Sequence, residues 1–254
     1  MDKIKKAFDE KLKNGKKANI GYIVGGYPDL NYTKELINNL DKCSLDILEI
    51  GIPYTDPLAD GKVIFDASFK ACQNGVTTDD VFKMLKECKT NKCLVFLVYY
   101  NLVFSYGLES FVKKAKEVGI SGLIVPDLPC EESDKLFEIC KNHGLSLIPL
   151  ISVTSEYRLP KLLEKSSGFI YAVGSIGVTG GKQTPINRLK HMVGDIKNAT
   201  NLPVAVGFGI RTNDDVKLTK SYADGAIVGT SIVKLCGNLS VGELLKEIDE
   251  IFKD

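Results

Sequence analysis

The chain has 254 residues, of which 44% are hydrophobic and 26% are charged, and its formal net charge is +1. This near-neutral balance gives no electrostatic case for nucleic acid or an anionic membrane surface as a partner. The sequence has no apolar run long enough to span a bilayer, and its charged amino-terminal stretch lacks the apolar centre of a signal peptide. We therefore expect a cytoplasmic protein in which residues 1–254 form a single domain.

The cysteines and histidines exclude several kinds of chemistry. Seven cysteines are scattered along the chain without a Cys-x-x-Cys pair, and the two histidines are His143 and His191. An odd number of widely spaced cysteines argues against a disulfide framework or a zinc site. Neither histidine neighbours a candidate nucleophile, so a Ser-His or Cys-His mechanism has little support.

Eight short apolar runs are the candidate strands. They are almost continuously apolar rather than alternating, which is typical of strands buried on both faces in parallel sheets. The runs are residues 18–24, 45–51, 93–100, 122–127, 145–152, 168–174, 202–209 and 224–230.

Helical patterns separate these strands and carry their own start and stop signals. Residues 77–88 and 212–222 both open with Thr and Asp near the expected cap. Residues 130–144 begin acidic and end basic, which complements the helix dipole. Eight strands alternating with helices predict a (β/α)8 TIM barrel with an extra amino-terminal helix and a long loop after strand two. An open doubly wound sheet is the alternative, and it would suit fewer strands.

Glycine-rich segments follow the last three strands, at the end of the barrel where active sites lie. They are residues 177–180 after strand six, Gly207 and Gly209 in strand seven, and Gly229-Thr230-Ser231 after strand eight. Glycine lets backbone N–H groups approach a ligand closely, and helix N-termini attract anions. The three segments together predict a phosphorylated small-molecule ligand. For any one segment alone, a simple tight turn stays an open alternative.

The stretch LEIGIPYTDPLADG (residues 48–61) carries a carboxyl group inside an apolar strand. Glu49 is expected to point into the barrel at the top of strand two, where apolar surroundings raise its pKa. A carboxyl group held in this way can give a proton and take it back. A buried salt bridge is the alternative, but the predicted strands contain no internal lysine or arginine.

A second carboxyl group, that of Asp60, follows in a turn-rich loop. Solvent and backbone donors are expected to keep Asp60 ionised, so that it can stabilise positive charge developing on a substrate. Environments that separate the pKa values of two carboxyl groups in this way are a recurrent acid–base arrangement. Taken alone, Asp60 could be a plain turn residue, although Asp56 before Pro57 fits that role better.

At this point the sequence resembles a known family. LEIGIPYTDPLADG is similar to the signature of the tryptophan synthase alpha subunit, as are GYIVGGYPD, YYNLVF, VPDLPCEES, GVTG, GFGI and GTSIVK. The resemblance covers nearly the whole chain. It implies a lyase of L-tryptophan biosynthesis that cleaves indole-3-glycerol phosphate by a retro-aldol reaction to indole and D-glyceraldehyde 3-phosphate. It also implies that Glu49 is the general acid/base and that Asp60 accepts the indole N–H.

The family pattern implies further substrate-binding residues and a partner. The matching positions are Tyr22, Leu97, Tyr99, Asp127, Tyr171, Gly180, Gly209, Gly229 and Thr230. No metal or cofactor is implied in this chain. A beta subunit carrying pyridoxal phosphate is implied as its partner in an alpha2beta2 tetramer.

One departure from the family pattern concerns the loop after strand six. Ser175 stands where the family commonly has arginine, which bears on how that loop closes or communicates with the partner. We expect residues 54–62 and 175–189 to be mobile, because both loops carry glycines and lie at the mouth of the barrel.

Two competing functions are less well supported. A sugar-phosphate isomerase of histidine or tryptophan biosynthesis would use an Asp pair or a Lys at other strand ends, but strand one ends in Val24-Gly25-Gly26 without an acid. A non-catalytic module that only activates its partner is opposed by the presence of both Glu49 and Asp60.

Overall fold

The computed structural model describes residues 3–174, 185–207 and 209–254. Its strands belong to one parallel sheet, in agreement with the apolar character of the predicted strands. The strands are β1 (Ala18–Val24), β2 (Ile47–Gly51), β3 (Cys93–Leu97), β4 (Ile120–Ile124), β5 (Ser146–Ile148), β6 (Leu150–Ser152), β7 (Ile170–Val173), β8 (Val204–Gly207) and β9 (Gly225–Val228). The order across the sheet is β5-β4-β3-β2-β1-β9-β8-β7-β6.

The two ends of this order are consecutive in the chain, so the sheet closes into a ring. β5 pairs with β4, β6 pairs with β7, and Pro149 lies between β5 and β6. The sequence predicted one strand over 145–152, and the structure divides it at Pro149. Proline has no N–H to donate to a ladder, which explains the division. Counted with β5 and β6 as one divided strand, eight parallel strands with surrounding helices confirm the TIM barrel and exclude the open doubly wound sheet.

Helices follow the strands on the outside of the ring, and one precedes them. They are α1 (Lys3–Lys13), α2 (Leu30–Asn39), α3 (Lys62–Gln73), α4 (Thr78–Lys86), α5 (Tyr100–Tyr106), α6 (Leu108–Glu117), α7 (Asp134–Asn142), α8 (Leu159–Leu163), α9 (Ile186–Ala199), α10 (Asn213–Lys220), α11 (Thr230–Cys236) and α12 (Val241–Ile251). Short 3-10 turns cover Leu40–Lys42, Cys130–Glu132 and Glu156–Arg158. The extra amino-terminal helix is α1, and the long connection after β2 contains α3 and α4, both as predicted.

Helix boundaries follow the local signals in the sequence. Thr77 and Thr212 each form a capping box, in which the threonine hydroxyl and the aspartate three residues later satisfy each other's backbone N–H groups. Gly119 and Gly144, just beyond α6 and α7, have φ values of +88° and +65°. Glycine adopts these left-handed values without a steric penalty, which is why these helices end there.

The two ends of the barrel interior differ in character. At the amino-terminal end, Ile4 and Phe8 of α1 are fully buried, and the Phe8 ring packs 5.6 Å from that of Phe169. At the carboxyl end, Tyr22 and Tyr171 line a cavity together with Glu49. The fold therefore plugs one end with apolar side chains and leaves ionisable groups at the other.

Candidate active site

A cavity opens at the carboxyl ends of the strands and brings together residues that are far apart in sequence. Most of the residues predicted to bind substrate line it, together with three isoleucines that the sequence analysis did not single out. The lining residues are Tyr22, Glu49, Asp60, Ile64, Leu97, Tyr171, Gly209, Ile210, Ile227, Gly229 and Thr230.

Glu49 is the central residue of β2 and is completely buried. It is in register with Tyr22 on β1 and Val95 on β3. Neither carboxyl oxygen has a hydrogen-bond partner among the described residues, so the buried salt bridge considered from the sequence is not formed with them. Burial raises the pKa of Glu49 to about 8, in the direction expected from the sequence. At neutral pH this group is therefore protonated and can act as an acid.

Asp60 is half-buried, and its carboxylate accepts a hydrogen bond from the Tyr99 hydroxyl at 3.1 Å. Burial raises its pKa to about 6, and the Tyr99 hydrogen bond opposes that rise. The sequence analysis expected solvent and backbone donors around this charge, whereas the hydrogen-bond donor in the structure is the buried Tyr99 phenol. Asp60 nevertheless stays ionised at neutral pH, so the two carboxyl groups of the cavity differ in charge.

Two tyrosines reach over glycines on the neighbouring strands. A Cβ atom on Gly51 would lie 2.2 Å from the Tyr22 hydroxyl oxygen, and one on Gly207 would lie 2.3 Å from that of Tyr171. The sequence analysis assigned Gly207 to close approach of a ligand. In the structure its missing side chain makes room for the Tyr171 ring instead.

Part of the cavity lining, at the ends of β8 and β9, carries the features expected of an anion site. Gly209 has φ +88°, and Gly229 immediately precedes α11, which starts at Thr230. The Ser231 hydroxyl donates to the Arg211 carbonyl at 3.0 Å and so joins the loop after β8 to the start of α11. The first backbone N–H groups of a helix have no partner within the helix, so they are available to a ligand.

Two of the described residues predicted to bind substrate, Tyr99 and Asp127, are not in the cavity lining. Tyr99 contacts it through Asp60. Asp127 is exposed, and its carboxylate accepts a hydrogen bond from the Tyr100 N–H at 2.8 Å, where α5 begins. Its contact is therefore with a helix start and not with the cavity. Gly180 lies outside the described residues, as do Ser175 and the rest of 175–184, whereas 186–189 form the first turn of α9.

The three isoleucines in the lining had weak signals in the sequence. Ile227 alternates with Gly225 on β9, and this period of two could have marked it as inward-facing. Ile210 directly follows the glycine-rich segment of strand seven. Ile64 is in the first turn of α3, four residues after Asp60, and only the helix direction shows that it faces the cavity.

Within the described ranges, no group of three or more His, Cys, Asp or Glu side chains is arranged to hold a metal ion. Among the described helices, none combines the length and the apolar character needed to cross a membrane.

A closed (β/α)8 barrel with two carboxyl groups in the cavity at the carboxyl ends of its strands defines a TIM barrel with a candidate acid–base site. The family model described as "Tryptophan synthase alpha chain" matches residues 8–251. A tryptophan synthase alpha chain of Campylobacter jejuni subsp. jejuni serotype O:2 is 51% identical over 239 residues, covering 93% of this chain and 95% of that one.

Solved structures agree with the sequence relatives. The structure of tryptophan synthase subunit alpha from Campylobacter jejuni superposes with a TM-score of 0.86 at 49% identity, covering 93% of this chain and 96% of that chain. The aminoacrylate-bound tryptophan synthase from M. tuberculosis gives 0.89 at 30% identity, covering 99% and 98%. The chain belongs to the tryptophan synthase alpha chain family. It is a lyase of tryptophan biosynthesis and carries out the alpha reaction, the cleavage of indole-3-glycerol phosphate to indole and D-glyceraldehyde 3-phosphate.

Proposed function

We propose that Glu49 is the general acid/base of this cleavage. Breaking the carbon–carbon bond requires a proton at C3 of the indole ring and the loss of a proton from the glycerol hydroxyl. Glu49 is protonated at neutral pH, because burial raises its pKa to about 8, so it can deliver the first proton. As the carboxylate formed by that step, it can then take the second. The observation that carries this proposal is a fully buried carboxyl group without a hydrogen-bond partner among the described residues.

Asp60 takes the complementary role in the proposal. Protonation at C3 leaves positive charge on the indole nitrogen, and an ionised carboxylate that accepts the N–H stabilises that charge. With a pKa of about 6, Asp60 is ionised while Glu49 is still protonated. This separation of pKa values assigns the two roles without a histidine.

The remaining lining suits the two ends of the substrate. Leu97, Ile64 and Ile227 provide an apolar slot for a flat ring. Gly209, Gly229 and Thr230 lie where backbone N–H groups and a hydroxyl can bind the phosphate. Tyr22 and Tyr171 would line the reacting centre between these two ends. Asp127 and Gly180 stay in the proposed binding set on the family pattern alone.

The assembly is proposed to follow the family name. An alpha chain implies a beta subunit, and we expect an alpha2beta2 tetramer in which the beta subunit carries pyridoxal phosphate. We expect this chain to use no cofactor or metal of its own, to act as one domain over residues 1–254, and to work in the cytoplasm.

An indole-release assay tests the proposal. Purified chain is given indole-3-glycerol phosphate with and without a cognate beta subunit, and the same is done with Glu49→Gln. We expect turnover by the unchanged chain and a loss of at least about 1,000-fold in kcat for the variant, with substrate binding retained. Residual activity near the unchanged level in Glu49→Gln would exclude Glu49 as the acid/base.

A further inference from the structure

The loop that carries Asp60 makes defined contacts with α3 and with Tyr99. It runs from Ile52, just after β2, to Gly61, just before α3, and we call it the β2–α3 loop (residues 52–61). At its start, the Ile52 N–H donates to the Leu97 carbonyl at 3.1 Å and extends the sheet. Its middle, at Thr55 and Asp56, is exposed. The position of Asp60 therefore depends on contacts made beyond this exposed middle.

One such contact comes from Ser68 in the second turn of α3. Its side chain is only 3% exposed. The hydroxyl accepts a hydrogen bond from the Tyr54 N–H at 2.9 Å and donates one to the Tyr54 carbonyl, also at 2.9 Å. A single side chain thus satisfies both backbone groups of one loop residue. A serine inside a helix commonly bonds to the carbonyl four residues earlier in its own helix, whereas this hydroxyl is directed at the loop.

The contact continues from Tyr54 to Asp60 through a second tyrosine. The rings of Tyr54 and Tyr99 stack with centroids 5.3 Å apart and an interplanar angle of 29°. The Tyr99 hydroxyl accepts from the Ala59 N–H at 3.0 Å and donates to the Asp60 carboxylate at 3.1 Å. The beginning and the end of the β2–α3 loop are therefore both fixed around one ring.

We propose that Ser68 is a positioning residue for Asp60: by holding the backbone of Tyr54, it sets where the β2–α3 loop presents the carboxylate to the cavity. The inference assigns no chemistry to Ser68 itself. It therefore rests on the role that the proposed function gives to Asp60. The packing around Ser68 does not call for a hydroxyl, since its buried neighbours on the same helix, Ile64, Ala67 and Ala71, are apolar. What the hydroxyl adds is the two-point contact with the loop.

The test compares Ser68→Ala with Ser133→Ala. Ser133 is also buried, and its hydroxyl donates to the Cys130 carbonyl at 2.8 Å, so the control removes a hydroxyl of similar environment outside the cavity. Amide hydrogen exchange is measured over residues 52–61 in the chain without substrate. Indole release is then measured against pH with the beta subunit present, giving kcat, KM and the acid limb of the profile.

For Ser68→Ala we expect faster exchange at the Tyr54 to Asp60 amides and a fall in kcat of about 10- to 100-fold, since a displaced catalytic group costs that much. We also expect the acid limb to move to lower pH, because a loosened loop exposes Asp60 to water and its pKa falls toward the ordinary value. Ser133→Ala should leave all three readouts unchanged.

Two results would overturn the inference. The first is unchanged exchange in Ser68→Ala. The second is faster exchange with unchanged kcat or an unmoved acid limb, since the serine would then hold the loop without positioning Asp60. Neither result depends on the proposed function as such, because that function fails only if the unchanged chain releases no indole or Glu49→Gln retains activity.

Discussion

Two buried carboxyl groups, at opposite ends of the barrel, have very different surroundings and therefore different pKa values. Asp224, just before β9, accepts hydrogen bonds from Lys197 at 2.7 Å, Lys17 at 3.2 Å and the Val204 N–H at 3.1 Å. Glu49, at the mouth, has no partner for either oxygen among the described residues. Burial alone would raise the pKa of both groups, but the partners of Asp224 hold its pKa below the usual value.

Position in this fold separates a paired acid with a structural role from an unpaired acid to which the proposed function assigns the chemistry. The carboxylate of Asp224 links β8 and β9 to two lysines, and these partners stabilise its ionised form. The cavity around Glu49 offers no such compensation among the described residues and stabilises the protonated form. A buried group that is left uncompensated costs stability, and enzymes accept that cost at the sites where chemistry occurs.

The largest expected effect on stability comes from removing the charge of the paired acid, Asp224. Asp224→Asn removes the charge that two lysines face, so the free energy of unfolding should fall by about 2 kcal/mol at pH 7 while kcat per folded molecule stays unchanged. Asp9→Asn, at an exposed ion pair with Lys5, is the matched control and should change stability by at most about 0.5 kcal/mol. Urea denaturation followed by circular dichroism measures both.

The same experiment has a defined pH dependence. Because the folded-state pKa of Asp224 is depressed, its contribution is present above the unfolded pKa of about 4 and is lost as the pH falls through the folded value. The difference between Asp224→Asn and the unchanged chain should therefore shrink below about pH 4. A constant difference across this range would show that packing, and not charge, is what the substitution removes.

The next effect is a gain in unfolding free energy and concerns Glu49. The folded-state pKa of Glu49 is about 8 against an ordinary value of 4.5, so the folded chain binds the extra proton between these values and loses stability as the pH rises through them. A glutamine side chain does not titrate, so Glu49→Gln should gain at least about 1 kcal/mol of unfolding free energy relative to the unchanged chain as the pH is raised across this interval. Thermal unfolding of both proteins at the two ends of the interval measures it. A relative loss of stability at the alkaline end would contradict an uncompensated carboxyl group.

A third prediction concerns activity against pH. The proposed mechanism requires Asp60 ionised and Glu49 protonated, so kcat/KM should be bell-shaped with an acid limb near 6 and an alkaline limb near 8. Outside these limbs it should fall about tenfold per pH unit. An alkaline limb that persists unchanged in a variant lacking the Glu49 carboxyl would assign that limb to another group.

The smallest effect sharpens the assignment of the acid limb. The Tyr99 hydroxyl lowers the pKa of Asp60, so Tyr99→Phe should move the acid limb upward by less than about one pH unit. This direction is opposite to that expected for Ser68→Ala, so the two variants distinguish a lost hydrogen bond from a loosened loop. Movement of the limb in the same direction in both variants would contradict that distinction.

Much of this architecture could be predicted from the sequence, because it depends on local signals. The strand runs, the capping threonines and the glycines after α6 and α7 all act within a few residues of where they stand. The burial of Glu49 was predictable for the same reason, since a single glutamate in an apolar run has few other environments.

The rest depends on where side chains meet in space. Pro149 was the local signal for the division of the predicted strand 145–152, but nothing local shows that the two parts pair with different neighbouring strands. The donor to Asp60 is Tyr99, almost forty positions away, and the space beside Gly207 is filled by Tyr171 on another strand. Asp127 has the right residue type next to a strand end, but its carboxylate caps α5. No local pattern encodes these directions.

The division at Pro149 also means that the barrel is closed by the chain itself, where β5 continues into β6. The chain up to Ile148 supplies strands β1–β5, and the chain from Leu150 supplies β6–β9. No strand ladder among the described residues joins β5 to β6. A cavity of about 400 Å³ lies beside this division and is lined by residues 147–150, Arg158 and Lys165, among others. New chain termini introduced between β5 and β6 would leave the β4–β5 and β6–β7 ladders intact, because among the described residues no ladder joins these two strands.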